Sequence, residues 1–273
     1  MEQSKGLKRN IIDKYYTKDI IVEKCIDLIK NNIIISKDDL IIEPSSGNGA
    51  FIHLIKTISN NYKFYDLEPE NDEIIQQDYL EFDYKNLQKE YKKIHIVGNP
   101  PFGRQSSLAI KFIKKSCEFC DSISFILPKS FKKESMKSKF PLNFHLVCEW
   151  DIPDNSFLVN NVEYTVPCVF QLWEKKTECR IKIEKVEPIH FRFVNKTDHP
   201  NISFRRVGVN AGVISRDILN KSEQSHYFIT FTNNKSIDEN IEQLKKTIFT
   251  HDNTVGPRSI SIQELIKEFN KYL

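Results

Sequence analysis

Short apolar runs alternate with segments of helical periodicity from residue 19 to residue 173. Strand-length runs lie at residues 40–42, 63–67, 94–97, 123–127, 146–150 and 166–173, and helical spacing appears at residues 19–30, 49–59 and 106–120. Parallel strands cannot be joined by a tight turn, so they need a crossover that is usually a helix. The alternation therefore predicts a doubly wound α/β fold with a mostly parallel sheet over residues 15–175.

The pattern changes after Trp173. The strand-like runs become shorter, at residues 181–183, 191–193 and 227–231, and two helical segments follow at residues 237–249 and 260–272. We therefore predict a larger domain at residues 1–175 and a small C-terminal α+β region at residues 176–273. The length of 273 residues fits one core domain with a smaller appendage.

Composition excludes several classes of protein. Apolar residues make up 40% of the chain and charged residues 28%, which is typical of a folded globular protein. No apolar run approaches the roughly 18–20 residues of a membrane span, and residues 1–10 lack the apolar segment of a signal peptide. We therefore expect an intracellular protein, cytoplasmic or nuclear, or a viral protein acting in the host cell, with no membrane partner.

The six cysteines do not follow the pattern of a metal site. Only Cys117 and Cys120 have Cys-x-x-Cys spacing, and a structural zinc site needs a second such pair. The two residues also continue the apolar face of the helix predicted at residues 106–120. We therefore interpret both thiols as core residues and expect no metal.

Glycine is scarce, with eight residues in the chain, and four of them lie in two short loops. Gly47 and Gly49 follow one predicted strand, and Gly98 and Gly103 flank the tetrapeptide at residues 99–102. Glycine lets a backbone approach a ligand closely. Because both loops follow the carboxyl ends of strands, where open α/β sheets bind ligands, we predict a binding site there.

The first of these loops does not match a dinucleotide site. Ile52 replaces the third glycine of the G-x-G-x-x-G pattern, which disfavours a dehydrogenase. Glu43 ends the strand before the loop and suits a cationic ligand better than a pyrophosphate. Asp66 ends the next strand, where a carboxylate is placed to hydrogen-bond a ribose diol. Asp78 is a weaker candidate, for contact with the amino group of a purine.

The tetrapeptide Asn99-Pro100-Pro101-Phe102 is the most informative motif. The two prolines remove two backbone donors and stiffen the loop. The side-chain carbonyl of Asn99 and the backbone carbonyl of Pro100 are two acceptors that suit an amino group with two hydrogens. Phe102 adds a flat face on which a base can stack. The motif therefore points to a planar amino group as the target.

Together these motifs resemble the class I S-adenosylmethionine-dependent methyltransferases, in the adenine-N6 branch. The resemblance covers residues 15–175 and implies a Rossmann-like methyltransferase fold with S-adenosylmethionine as the cofactor. It also implies roles for individual residues. The cofactor-binding residues are then Tyr16, Thr17, Glu43, Gly47, Gly49, Asp66 and Asp78. The catalytic residues are Asn99, Pro100, Pro101 and Phe102, with Phe102 and Phe157 stacking on the two faces of the target base.

The resulting hypothesis is methyl transfer from S-adenosylmethionine to the N6 amino group of adenine in DNA, after base flipping and by direct in-line attack. The C-terminal region is then the source of target recognition. Arg205 and Arg206 lie there in a segment rich in Asn and Gly, residues 203–212, which suits contacts to phosphates and base edges. The net charge of +3 does not by itself indicate a nucleic-acid partner.

Three alternatives remain open at this point. The first is an adenine-N6 methyltransferase that acts on RNA, which can be recognised by shape and by unpaired bases. The second is a protein glutamine methyltransferase, a class whose related motif usually carries Tyr where this chain has Phe102. The third is a cofactor-binding subunit without catalysis, which predicts a damaged motif, whereas both loops are intact. The arginines of the C-terminal region favour DNA.

Overall fold

The predicted alternation folds as a mostly parallel sheet in the computed structural model, which describes residues 15–182, 184–249 and 258–273. These residues form two compact units, which meet in sequence after Lys182. The boundary predicted from the sequence, after residue 175, coincides with the last residue of a long strand.

The elements of the N-terminal unit, residues 15–182, are β1 (Tyr16–Thr17), α1 (Asp19–Asn32), β2 (Leu40–Glu43), α2 (Ile52–Ile58), β3 (Asn61–Asp66), β4 (Ile75–Gln76), α3 (Leu87–Glu90), β5 (Ile94–Gly98), α4 (Ser107–Cys117), β6 (Ser122–Pro128), α5 (Glu134–Lys137), β7 (Phe144–Asp151), β8 (Phe157–Val159), β9 (Val162–Tyr164) and β10 (Cys168–Lys175).

The central sheet has the strand order β4-β3-β2-β5-β6-β10-β7. Strands β2 to β6 pair in parallel, and β10 is antiparallel to both of its neighbours. Every residue of β2, β5 and β6 is buried, as expected for strands covered on both faces. This doubly wound sheet confirms the predicted fold class.

Helix α4 follows the tetrapeptide and packs on the sheet. Its buried face includes Ala109, Phe112 and Ile113 and continues to Cys117, with Cys120 just beyond the helix. These residues belong to the main apolar core of the unit. The interpretation of both thiols as core residues is therefore confirmed.

A second, smaller sheet holds the start of the described chain. In it, β8 pairs antiparallel with β1 on one side and with β9 on the other. Thr17 lies opposite Phe157, and the Lys18 amide donates to the Ser156 carbonyl at 3.1 Å. The sequence contains no pattern that predicts this sheet, because β1 has only two residues.

The C-terminal unit contains a four-stranded antiparallel sheet in the order β11-β14-β12-β13. Its core is formed by residues such as Phe204, Ile229 and Phe269. The predicted α+β character is thus present in residues 184–249 and 258–273. The elements are β11 (Phe191–Phe193), β12 (Ile202–Arg205), β13 (Ile214–Ser215), β14 (His226–Phe231), α6 (Ile237–Leu244) and α7 (Ile262–Phe269).

Two expectations for the chain after Trp173 were wrong. Ile181 and Lys182 form no strand, because Ile181 is 93% exposed and has no neighbouring strand to pack on; residue 183 of that run lies outside the described residues. Helix α6 ends at Leu244, short of the predicted residue 249. Among the described residues, no helix combines the length and apolar character that crossing a bilayer requires.

Candidate active site

A cavity of about 520 Å³ opens at the carboxyl ends of the parallel strands of the N-terminal unit. Its volume falls within the range of about 300–1,000 Å³ that is usual for small-molecule sites. Most of the residues predicted for the site line this cavity: Tyr16, Thr17, Glu43, Gly47, Asp66, Asp78, Asn99, Pro100, Pro101 and Phe102. Sequence-distant segments are therefore brought together at one place.

The loop between β2 and α2 turns through two glycines in the left-handed region, Gly47 at φ +52° and Gly49 at φ +88°. A Cβ on Gly49 would lie 2.7 Å from Ile52 Cδ1, so this position shapes the turn, and it does not line the cavity. The amide of Gly47 donates to Asp66 Oδ2 at 2.8 Å. The loop is thereby held against the end of β3.

Glu43 is a buried carboxylate with spare bonding capacity. Its side chain lines the cavity although the residue is only 2% exposed, and Oε2 has no hydrogen-bond partner among the described residues. Burial raises the pKa of Glu43 to about 8, an effect that Ser46 opposes and Asp66 reinforces. A cation entering the cavity would stabilise the ionised form of this group. The site therefore fits the positively charged amino acid part of S-adenosylmethionine.

Gly98 makes room for that carboxylate. A Cβ at this position, where φ is +148°, would lie 3.1 Å from Glu43 Cγ. Such a contact is tighter than about nine in ten real Cβ contacts. The glycine before the tetrapeptide is therefore explained by the close approach of the Glu43 side chain, a role that the sequence did not reveal.

Two further carboxylates, those of Asp66 and Asp78, line the cavity. Asp66 accepts hydrogen bonds from the amides of Gly47, at 2.8 Å, and Glu68, at 2.9 Å, one on each oxygen. Asp78 accepts from the Leu80 amide at 2.8 Å and so caps a short 3-10 turn. Each carboxylate oxygen has two acceptor sites, so both groups keep capacity for ligand hydroxyl or amino hydrogens.

The side chain of Asn99 is fixed by the N-terminal strand. Its Nδ2 donates to Thr17 Oγ1 at 3.2 Å and to the Tyr15 carbonyl at 3.3 Å. The Asn99 carbonyl accepts from Ser45 Oγ at 3.3 Å, which ties the tetrapeptide to the glycine loop. The carbonyl of Phe102 accepts from the Leu108 amide at 3.1 Å at the start of α4. The motif is therefore held at both ends.

Phe157 does not occupy the place that the resemblance implied. Its side chain is 1% exposed and does not line the cavity. The residue instead contributes its backbone, as the partner of Thr17 in the small sheet. The structure therefore offers no second stacking ring at this position.

Arg205 and Arg206 belong to the C-terminal unit, where both bind backbone carbonyls. Arg205 Nε donates to the Val207 carbonyl, and an Arg206 terminal nitrogen donates to the Gln224 carbonyl, both at 2.7 Å. The Arg206 guanidinium also lies 5.4 Å from the centre of the Tyr227 ring. Part of their hydrogen-bonding capacity is thus used within the unit.

Several lining residues were missed from the sequence. Tyr15 and Ser45 bind the tetrapeptide, and Leu67 is an apolar lining residue that is 61% exposed. The available signals were their positions, directly before Tyr16, inside the glycine loop and directly after Asp66. No cluster of side chains suited to a metal ion occurs in the part of the chain that the structure describes.

Comparisons with known proteins agree with this arrangement. The family model of the EDM2 methyltransferase-like domain matches residues 34–182. Ribosomal RNA small subunit methyltransferase A from Francisella tularensis subsp. tularensis is 24% identical over 171 residues, which cover 54% of this chain and 63% of the relative. The enzyme of the same name from Francisella tularensis subsp. novicida is 26% identical over 143 residues, covering 47% and 53%. The chain thus spans less than two thirds of the length of these relatives.

Solved structures with similar folds include a putative RNA methyltransferase from Pyrococcus horikoshii, with a TM-score of 0.46, 14% identity and coverage of 63% of this chain and 92% of that one. A putative class I S-adenosylmethionine-dependent methyltransferase from Listeria monocytogenes also has a TM-score of 0.46, with 13% identity and coverage of 67% and 66%. The family model spans more than half of the chain. The protein therefore belongs to the EDM2 methyltransferase-like domain family.

Proposed function

We propose that the protein transfers a methyl group from S-adenosylmethionine to the N6 amino group of adenine in RNA. The observation that carries the proposal is the placement of Asn99, Pro100 and Phe102 on the wall of the cavity that Glu43 also lines. A site for a cationic cofactor and a site for a planar amino group are then adjacent. Direct transfer between two bound molecules requires this adjacency.

Three carboxylates suit the polar groups of the cofactor. Glu43, with its unpartnered oxygen, is the partner for the amino group, and Asp66 is the partner for the ribose hydroxyls. Asp78 is the candidate for the amino group of the cofactor adenine. When bound, S-adenosylmethionine supplies an electrophilic methyl group on its sulfonium.

The tetrapeptide acts on the target amino group. The lone pair of an exocyclic adenine nitrogen is delocalised into the ring, which makes the nitrogen a poor nucleophile. Asn99 Oδ1 and the Pro100 carbonyl accept its two hydrogens and favour the positive charge that develops during attack. Phe102 supplies a stacking face for an adenine that is unpaired or flipped out of a helix.

The choice of RNA over DNA rests on the relatives and on the arginines. The matched Francisella enzymes are named as ribosomal RNA methyltransferases, which supports RNA. The sequence favoured DNA because of Arg205 and Arg206, and their bonds to backbone carbonyls weaken that argument. We retain the C-terminal unit as the proposed target-recognition region for either nucleic acid.

The proposal is tested by incubating the protein with methyl-labelled S-adenosylmethionine and structured RNA, unstructured RNA, duplex DNA or single-stranded DNA. We expect label in RNA that digestion identifies as N6-methyladenine. Label in DNA alone would return the substrate to the first hypothesis. Label at another atom, or in a protein glutamine only, would contradict the proposal.

Asn99→Ala is the matched variant for this assay. We expect turnover to fall by about 1,000-fold or more, because an acceptor for the developing charge is lost. Binding of S-adenosylhomocysteine, measured by calorimetry, is expected to stay within about twofold of the wild-type value, since the loss of one neutral contact is small. A parallel loss of binding and turnover would argue against the role given to Asn99.

A further inference from the structure

The amide of Asn99 has an orientation that its surroundings determine. Both of its Nδ2 bonds run to the N-terminal strand, to Thr17 Oγ1 at 3.2 Å and to the Tyr15 carbonyl at 3.3 Å. A backbone carbonyl only accepts hydrogen bonds. If the amide were rotated by half a turn, Oδ1 would face the Tyr15 carbonyl and two acceptors would repel each other. The amino side of the amide therefore belongs against the strand.

This orientation leaves Oδ1 as the free end of the amide. No residue in the described ranges donates a hydrogen bond to Asn99 Oδ1. The opposite orientation would present two donors to a target amino group, which is itself a donor. Only one of the two amide orientations is therefore competent for the proposed reaction.

The two acceptors are firmly anchored. Thr17 is 6% exposed, and its strand pairs with β8 through the Thr17–Phe157 register. The next residue, Lys18, bonds to the Ser156 carbonyl through its amide at 3.1 Å and forms an ion pair with Glu163. The acceptors are thus held by the hairpin of β8 and β9, not by the short strand alone.

We propose that Thr17 is a positioning residue for catalysis, which with the Tyr15 carbonyl holds Asn99 in the orientation that presents Oδ1 to the target amino group. The proposal rests on the proposed function and adds to it a group that acts through Asn99. It also explains why the tetrapeptide starts with Asn in this chain. An Asp at position 99 could not donate to the Tyr15 carbonyl and would be repelled by it.

The test compares Thr17→Val, which keeps the branched shape and removes the hydroxyl, with Thr17→Ser, which keeps the hydroxyl. We expect kcat to fall about tenfold in Thr17→Val, the effect of one hydrogen bond, and to stay within about twofold in Thr17→Ser. The KM for RNA is expected to remain within about twofold in both variants. The affinity for S-adenosylhomocysteine is measured separately, because the family resemblance also implies a cofactor contact for Thr17, and it is expected to fall much less than kcat in Thr17→Val. A wild-type kcat in Thr17→Val would overturn the proposal. So would an equal fall in both variants, or a fall in cofactor affinity that matches the fall in kcat.

A second readout does not depend on activity. In protein labelled with ¹⁵N at asparagine, the Asn99 side-chain NH2 resonances, assigned with Asn99→Ala, report on the two bonds directly. We expect them to shift and to exchange faster with solvent in Thr17→Val, and to stay near their wild-type values in Thr17→Ser. Unchanged resonances in Thr17→Val would contradict the positioning role. A wild-type protein that methylates no nucleic acid but shows the expected resonance changes would contradict only the proposed function.

Discussion

The two ends of the central sheet bury polar groups in opposite ways. At the amino ends of β2, β5 and β6, His95 bonds to Ser122 Oγ at 2.7 Å through Nδ1 and to Asp39 Oδ2 at 3.3 Å through Nε2. At the carboxyl end, Glu43 is equally buried but keeps an oxygen without a partner among the described residues. The first set lies outside the cavity and Glu43 lines it.

The comparison of these two sets indicates which buried polar groups are ligand contacts. Ser122, His95 and Asp39 have the residue types of a hydrolytic triad, yet none is more than 5% exposed. They bond to one another, and Asp39 Oδ2 also accepts from the Ser36 amide at 2.7 Å. Burial lowers the pKa of His95, although Asp39 opposes this, so the surroundings favour the neutral imidazole. A buried polar group whose bonds are complete is structural. One with spare capacity beside a cavity indicates a ligand.

The largest effect on cofactor affinity is expected from Glu43, at the carboxyl end of the sheet. Glu43→Gln removes the charge that would pair with the amino group of the cofactor, a group that S-adenosylhomocysteine also carries. We expect the affinity for S-adenosylhomocysteine to fall about 100-fold in calorimetry. The free energy of unfolding at pH 8 is expected to stay the same or rise, because a buried carboxylate without a full set of partners is costly. A wild-type affinity in Glu43→Gln would contradict the assignment of Glu43 to the ligand site, and with it the difference between the two ends of the sheet.

A substitution at the amino end of the sheet is expected to change stability and to leave cofactor affinity unchanged. Ser122→Ala leaves the buried Nδ1 of His95 without a partner, and we expect the free energy of unfolding to fall by about 1–3 kcal/mol in urea denaturation. Cofactor affinity should remain at the wild-type value, since none of these groups lines the cavity. A loss of cofactor affinity without a loss of stability would show that this end also takes part in binding.

A smaller effect, of about fivefold, is expected when the pH is raised from 7 to 8, because the ionised fraction of a group with a pKa of about 8 rises by that factor. Because the pKa of Glu43 is raised to about 8, its carboxyl is mostly protonated at pH 7, and the ionised form binds a cation better. The affinity for S-adenosylhomocysteine should therefore rise with pH up to about 8 in the wild type and in Ser122→Ala. A wild-type affinity that is independent of pH would contradict the assignment of Glu43.

The pH dependence of Glu43→Gln supplies the control. Its affinity should be flat over the same interval, because the titrating group is gone. Folding responds in the opposite direction to cofactor binding. The raised pKa of Glu43 means that its contribution to stability is present below its ordinary pKa of 4.5 and is lost as the pH rises through about 8.

The central strands could be predicted because their apolar runs are short, continuous and flanked by turn residues. Strand β5, for example, differs from its predicted range only by the addition of Gly98. The loops of the site could be predicted because they follow these strands. The run at residues 181–183 was predicted as a strand because Ile and Lys alternate there, but no strand among the described residues pairs with residues 181 and 182.

The contacts that refine the site could not be predicted. Thr17 and Asn99 are 82 positions apart, and no local sequence pattern around either residue predicts their contact. Phe157 was assigned to the site by the family resemblance, and the structure shows that its ring is buried while its backbone pairs with Thr17. Such pairings depend on tertiary packing, which local patterns do not record.

The pairing of β1 with β8 has a consequence for the order of folding. A two-residue strand that must find a partner far along the chain gains little until the rest of the sheet has formed, because closing a long loop costs entropy. We expect the same pairing to be among the first to open when the protein is destabilised, because it contains few residue pairs. We therefore expect catalytic activity to appear late in folding. Mild heating should abolish the activity while the central sheet remains folded.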